Sequence, residues 1–127
     1  MPKKPGYARL FYLEDNHRMS DIFLVITTLP SQEEAAVLAK SVVAGELAAC
    51  VQIQGACQSI YRWEGRIEES VEYPVHFKTN AFKHQALREY IRKNHSYEAP
   101  EIISIRVADV NELYMNWVDE QLGMVNK

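Results

Sequence analysis

The chain has 127 residues, a length that fits one domain with a core of ordinary size. Apolar residues make up 47% and charged residues 24%, a globular composition, and the net charge is −3. That balance argues against general binding to nucleic-acid backbones, which needs clustered Lys and Arg, and gives no support for binding an anionic membrane surface.

No run approaches the roughly 18 apolar residues of a membrane span. Residues 1–20 start basic and hold the short apolar stretch "YARLFYL", broken by Arg9, with no small-residue cleavage site after it. No signal peptide is expected. These residues read as an extension outside the core. Only Cys50 and Cys57 are present. Two cysteines make no disulfide framework, and free thiols in a reducing cytoplasm are the simpler reading.

"DIFLVITTL" (21–29) is a β-branched apolar run and predicts a central strand buried on both faces. Pro30 and Ser31 follow. Ser31 with Glu34 three residues on is a capping box, and Ala35, Leu38, Ala39, Val42, Val43 and Leu47 recur at helical spacing, so a helix is expected over 31–47. "AACVQIQGACQSIYRW" (48–63) returns to extended character, with Gly55 marking a bulge or bend. "WEGR" (63–66) suits a tight turn. "IEESVEYPVHFKT" (67–79) alternates, with Ile67, Val71, Tyr73, Val75 and Phe77 on one side. The two segments form a long hairpin, and Pro74, which cannot donate to a ladder, requires an edge or a bulge.

"NAFKHQALREYIRKN" (80–94) predicts a second helix capped by Asn80, with a stripe of Phe82, Ala86, Leu87, Tyr90 and Ile91. "EIISIRVAD" (101–109) predicts a strand. "NELYMNWVDEQL" (111–122) predicts a last helix capped by Asn111, with Leu113, Trp117 and Val118 inward.

The order is βαββαβ plus a C-terminal helix: an α+β, ferredoxin-like pattern over residues 21–122, followed by a tail at 123–127. The hairpin arms, about 13–16 residues and some 40–50 Å long at about 3.3 Å per residue, outrun the other strands. Tyr73, Val75, Ile60 and Tyr61 would be exposed on the excess, and such an edge must be paired or covered. Self-association through the hairpin is the physical expectation.

The segments "ITTLPSQEEAAVLAKSVVAGELAACVQI", "SIYRWEGRIEES", "FKTN" and "HSYEAPEIISI" occur in order over about 21–122, and with them the chain resembles the CutA family, the divalent-cation tolerance proteins. The resemblance implies a compact homotrimer built through the long hairpins, a role in tolerance of divalent metals, copper especially, and a likeness to the trimeric PII signalling proteins. It implies a cytoplasmic or periplasmic setting; the cytoplasm is the expectation here. Copper binding in some members is ascribed to a cysteine near the end of the first strand and two adjacent histidines after the second helix. Here those positions hold Thr27 and Asn94-His95, so His95 alone carries over. Soft thiolate and paired imidazole are what select copper. Glu98 and Glu101 can add oxygen ligands to His95 for a harder cation. The residues specify no cofactor; a divalent cation, copper or zinc, is what the resemblance offers.

His17, His76 and His84 read as solvated surface residues. No nucleophile elbow, phosphate loop or complete metal triad is present, so no enzyme is expected. His95, Tyr97, Glu98 and Glu101 around Pro100 read as a helix-to-strand passage that can line an intersubunit cleft. Tyr61, Trp63, Lys78 and Tyr97 are candidates for a ligand pocket or for interface anchors. Two functions stand side by side: metal binding or signalling at intersubunit clefts, and a PII-like module that binds a small ligand and passes a state to a partner protein. A scaffold without ligand is a third. RNA binding lacks its aromatic strand motif and positive charge.

Overall fold

The computed structural model describes residues 21–124. The expectations placed on residues 1–20, including His17, lie outside the described residues. The elements are β1 (Ile22–Leu29), α1 (Gln32–Ala44), β2 (Cys50–Ile53), β3 (Cys57–Trp63), β4 (Arg66–Asn80), α2 (His84–Asn94), β5 (Ile103–Arg106) and α3 (Glu112–Gln121). The sheet runs β2-β4-β1-β5, all neighbours antiparallel, and β3 pairs with the far half of β4. This is the α+β, ferredoxin-like arrangement expected from the order of elements.

Register and alternation divide the sheet into two faces. Val25, Thr27 and Leu29 of β1 lie opposite Phe77, Val75 and Tyr73 of β4. That face meets α1 and α2, where Val25, Leu29, Ala35, Leu38, Val42, Val75, Phe77, Leu87 and Ile91 form the main core. A second cluster joins Ile22 and Ala49 to Met115, Val118 and Leu122 of α3. Elsewhere no described element packs on the other face. There Leu24 and Ile26 are half-buried beside Ile105 and Ile103, which are about half exposed.

Ser31 caps α1 as expected, its hydroxyl accepting from the Glu34 amide over 3.1 Å. Asn80 also caps: its Oδ1 accepts from the amides of Phe82 and Lys83, one turn ahead of the regular helix that starts at His84. Phe82 therefore sits outside the helical stripe and is 70% exposed, not inward. Asn111 precedes α3 but makes no side-chain cap.

Three strand expectations are corrected. The first hairpin arm is two strands, not one, split at residues 54–56 around Gly55. The fourth expected strand shrinks from nine residues to Ile103–Arg106, because β1 offers β5 only four partners, from Phe23 to Ile26. Val75 is fully buried rather than exposed, because it lies opposite both Thr27 and Ile53, inside the sheet proper. Pro74 marks the boundary. Its carbonyl accepts from the Gln54 amide over 2.8 Å, and in an extended strand the N and O of one residue point the same way. The missing N–H of Pro74 thus faces Gln54, at the gap between β2 and β3. Beyond it, residues 57–72 pair only between β3 and β4 among the described residues, and Ile60, Ile67 and Val71 stand exposed.

Candidate functional site

The chain between α2 and β5 passes the C-terminal end of β1, where the hairpin leaves the sheet. Asn94 closes α2 by donating its amide to the Tyr90 carbonyl at 2.9 Å. His95 follows in extended geometry, half-buried. Its Nδ1 is 3.0 Å from the Tyr97 amide, an obligate donor, so Nδ1 accepts. The neutral ring then carries its hydrogen on Nε2, which lies 2.8 Å from the Thr28 carbonyl and 3.1 Å from Thr27 Oγ1. Thr27, fully buried, passes its own hydrogen to the Glu101 carbonyl at 2.6 Å. Both ring nitrogens are therefore spent on the protein's own backbone, and Glu101 enters this network by its main chain.

A second hub adjoins the first. The Tyr97 hydroxyl donates to Glu72 Oε2 at 2.8 Å, and the Thr28 hydroxyl donates to the same oxygen at 3.1 Å. Ser59 of β3 lies near enough to help lower the pKa of this carboxylate. Partial burial works against the Glu72 charge, but the hydroxyls of Ser59, Tyr97 and Thr28 outweigh it and hold the carboxyl below 4.5. Burial and the Glu72 carboxylate together push the Tyr97 phenol well above its ordinary range. Glu72 was not singled out in the sequence. Its only signal there was its place one residue beyond the end of the β1 ladder, which register alone reveals.

The structure gathers His95 and Tyr97 with Thr27, Thr28 and Glu72. It does not gather the rest. Glu98 and Glu101 are exposed. Lys78 donates to Gln52 at 2.8 Å, six residues from Glu72 along β4, or roughly 20 Å at strand rise. Trp63, more than half exposed, pairs with Arg66 about as far in the other direction. Tyr61 lies between, close enough for its phenol to act electrostatically on Tyr97. Among the described residues, no three of His, Cys, Asp and Glu come together as a metal site, and no helix is long and apolar enough to cross a membrane.

Residues 23–121 match the family described as "CutA1 divalent ion tolerance protein". The chain belongs to the CutA1 family. It is 38% identical over 100 residues to the divalent-cation tolerance protein CutA of Thermus thermophilus, covering 79% of this chain and 97% of that protein. With the Yersinia pestis CutA it shares 36% over 103 residues, 81% of this chain and 87% of the relative. Among solved structures, CutA from Xylella fastidiosa superposes with a TM-score of 0.79 at 32% identity, covering 81% of this chain and 99% of that one. CutA1 of Thermus thermophilus gives 0.75 at 37% identity, covering 79% and 97%. The resemblance read from "HSYEAPEIISI" and "YRWEG" is thus met by whole-domain similarity in sequence and fold. These relatives are named for tolerance, not for an enzymatic reaction.

Proposed function

We propose that this CutA1 chain serves divalent-cation tolerance as a cytoplasmic homotrimer that senses a small ligand at the 95–101 passage and signals to a partner protein. The observation that carries this reading is the state of His95. One nitrogen accepts from Tyr97 and the other donates toward Thr28, so the ring has no spare lone pair for a metal. Thr27 and Asn94, which stand where other members are ascribed a cysteine and a second histidine, are a buried hydroxyl turned to Glu101 and a helix cap. Such a set does not select copper or zinc.

Assembly follows from exposed apolar surface. Ile60, Ile67 and Val71 on the hairpin and Ile103 and Ile105 on the open face need a partner, and a second copy of this chain offers the same surfaces in return. Light scattering at micromolar concentration tests the trimer, and a monomer there refutes it.

The ligand reading is tested by titrating copper and zinc calorimetrically into metal-free protein, beside a thermal-shift screen over metabolites and nucleotides. The expectation is no isotherm beyond buffer for either metal, and a rise in melting temperature with one organic or anionic class, since a ligand that binds only the native state stabilises it. A tight isotherm that His95→Ala abolishes would overturn it in favour of direct metal binding.

A further inference from the structure

We infer that the Glu72 carboxylate is the pin coupling the 95–101 passage to the β3–β4 hairpin, so that a change at Tyr97 alters the hairpin through this one side chain. The placement carries it. Glu72 is the first β4 residue past the β1 ladder, which ends at Leu29 opposite Tyr73. From there outward, β4 pairs only with β3 among the described residues, starting with Cys57 opposite Glu72. Glu72 Oε2 takes hydrogen bonds from Thr28 at the end of β1 and from Tyr97 on the passage. One acceptor on β4 thus takes bonds from β1 and from the passage at the root of the hairpin. Beside it at the root lies the Gln54-to-Pro74 backbone bond.

Two hydroxyl donors on one carboxylate form a charge-assisted network, whose members strengthen one another. Tyr97 belongs to the passage, while Glu72 itself belongs to the hairpin, opposite Cys57 of β3. Removing the Tyr97 hydroxyl leaves the carboxylate less restrained and, through the Glu72 backbone, loosens the start of the β3–β4 ladder as well. A ligand group that takes up the Glu72 oxygen or the Tyr97 hydroxyl would act on the hairpin in the same way. The coupling itself does not depend on which ligand binds; it adds an output to the proposed sensing.

Amide hydrogen exchange on the full chain tests it with Tyr97→Phe, Glu72→Gln and the double variant, with light scattering on each. The expected result is at least threefold faster exchange in residues 57–63 on Tyr97→Phe, although Tyr97 makes no bond there. Glu72→Gln should speed exchange in both 57–63 and 95–101. The double variant should add nothing further in 57–63. Unchanged exchange in 57–63 on Tyr97→Phe overturns the coupling. So does an additive double variant, and so does faster exchange that appears only where light scattering shows dissociation.

Discussion

The backbone amide of Tyr97 donates to Nδ1 of His95, two residues before it, across 3.0 Å. This short loop fixes the tautomer, because Nε2 must then carry the hydrogen that points at the Thr28 carbonyl. Nitrogen-15 spectra at neutral pH should show an Nε2–H imidazole for His95. An Nδ1–H signal would contradict the arrangement. His95→Ala leaves the Thr28 carbonyl and the Tyr97 amide without partners, and should destabilise by about 1–3 kcal/mol in urea unfolding.

His84 offers a pH test at the opposite end of β1. Its ring stacks on Phe23 at 4.1 Å and its Nε2 lies 2.7 Å from Ser104 Oγ. Partial burial, with the charge of Arg88, holds its pKa below the ordinary 6.5. The unfolded chain then binds this proton more readily than the folded one. The contribution is complete above 6.5 and is lost as pH falls through the lower folded value. The urea midpoint should drop between pH 7.5 and 5, and His84→Phe should flatten that slope. Glu72 does not enter this window, since its carboxyl titrates below 4.5.

Two helices end on the same backbone motif with different residues in its left-handed position. After α3, Gly123 takes φ 77, with the Met124 amide on the Asp119 carbonyl. After α1, Glu46 takes φ 60, with the Leu47 amide on the Val42 carbonyl. A side chain in that region costs about 1 kcal/mol, so Glu46→Gly should raise stability by about that amount. Gly123→Ala should lower it by a similar amount through its positive φ, as the Glu46 Oε1 that its Cβ would meet at 3.0 Å ends a flexible side chain. Thermal melts of the two variants decide it; a fall in melting temperature for Glu46→Gly would show that the Glu46 carboxylate holds α3 in place.

At the hairpin tip Glu64 and Gly65 both have positive φ, 50 and 80, which is the type I′ pattern that matches strand twist. Asparagine suits the first position better than glutamate does. Glu64→Asn should stabilise by about 0.5 kcal/mol, while Gly65→Ala should destabilise by about 1 kcal/mol through conformation alone, as nothing crowds its Cβ. Chemical denaturation curves check both signs.

Periodicity made the helices and the hairpin readable, since Leu38, Val42, Leu87 and Ile91 recur on one stripe and the main core uses them. What it could not give was register. Val75 and Ile60 look alike in an alternating pattern, yet the first has strands on both sides and the second has none beyond β4. Glu72 was hidden for the same reason: its role depends on where β1 stops, not on its neighbours in sequence. His95 was visible, but its bonding was not, because Thr27 and Thr28 lie 68 and 67 residues away in the chain. Asn116 had no signal at all; it is buried in α3, and both its amide atoms lack a partner among the described residues.

Pro74 has a mechanical consequence. The tip at Gly65 stands nine positions beyond it along β4, about 30 Å at strand rise. At that radius a rotation of about one degree at the root moves the tip by about 0.5 Å. The hairpin is a lever with its fulcrum where the proline leaves a hydrogen bond out. A displacement too small to disturb the core at Phe77 would be magnified at Trp63 into one that a neighbouring molecule can feel.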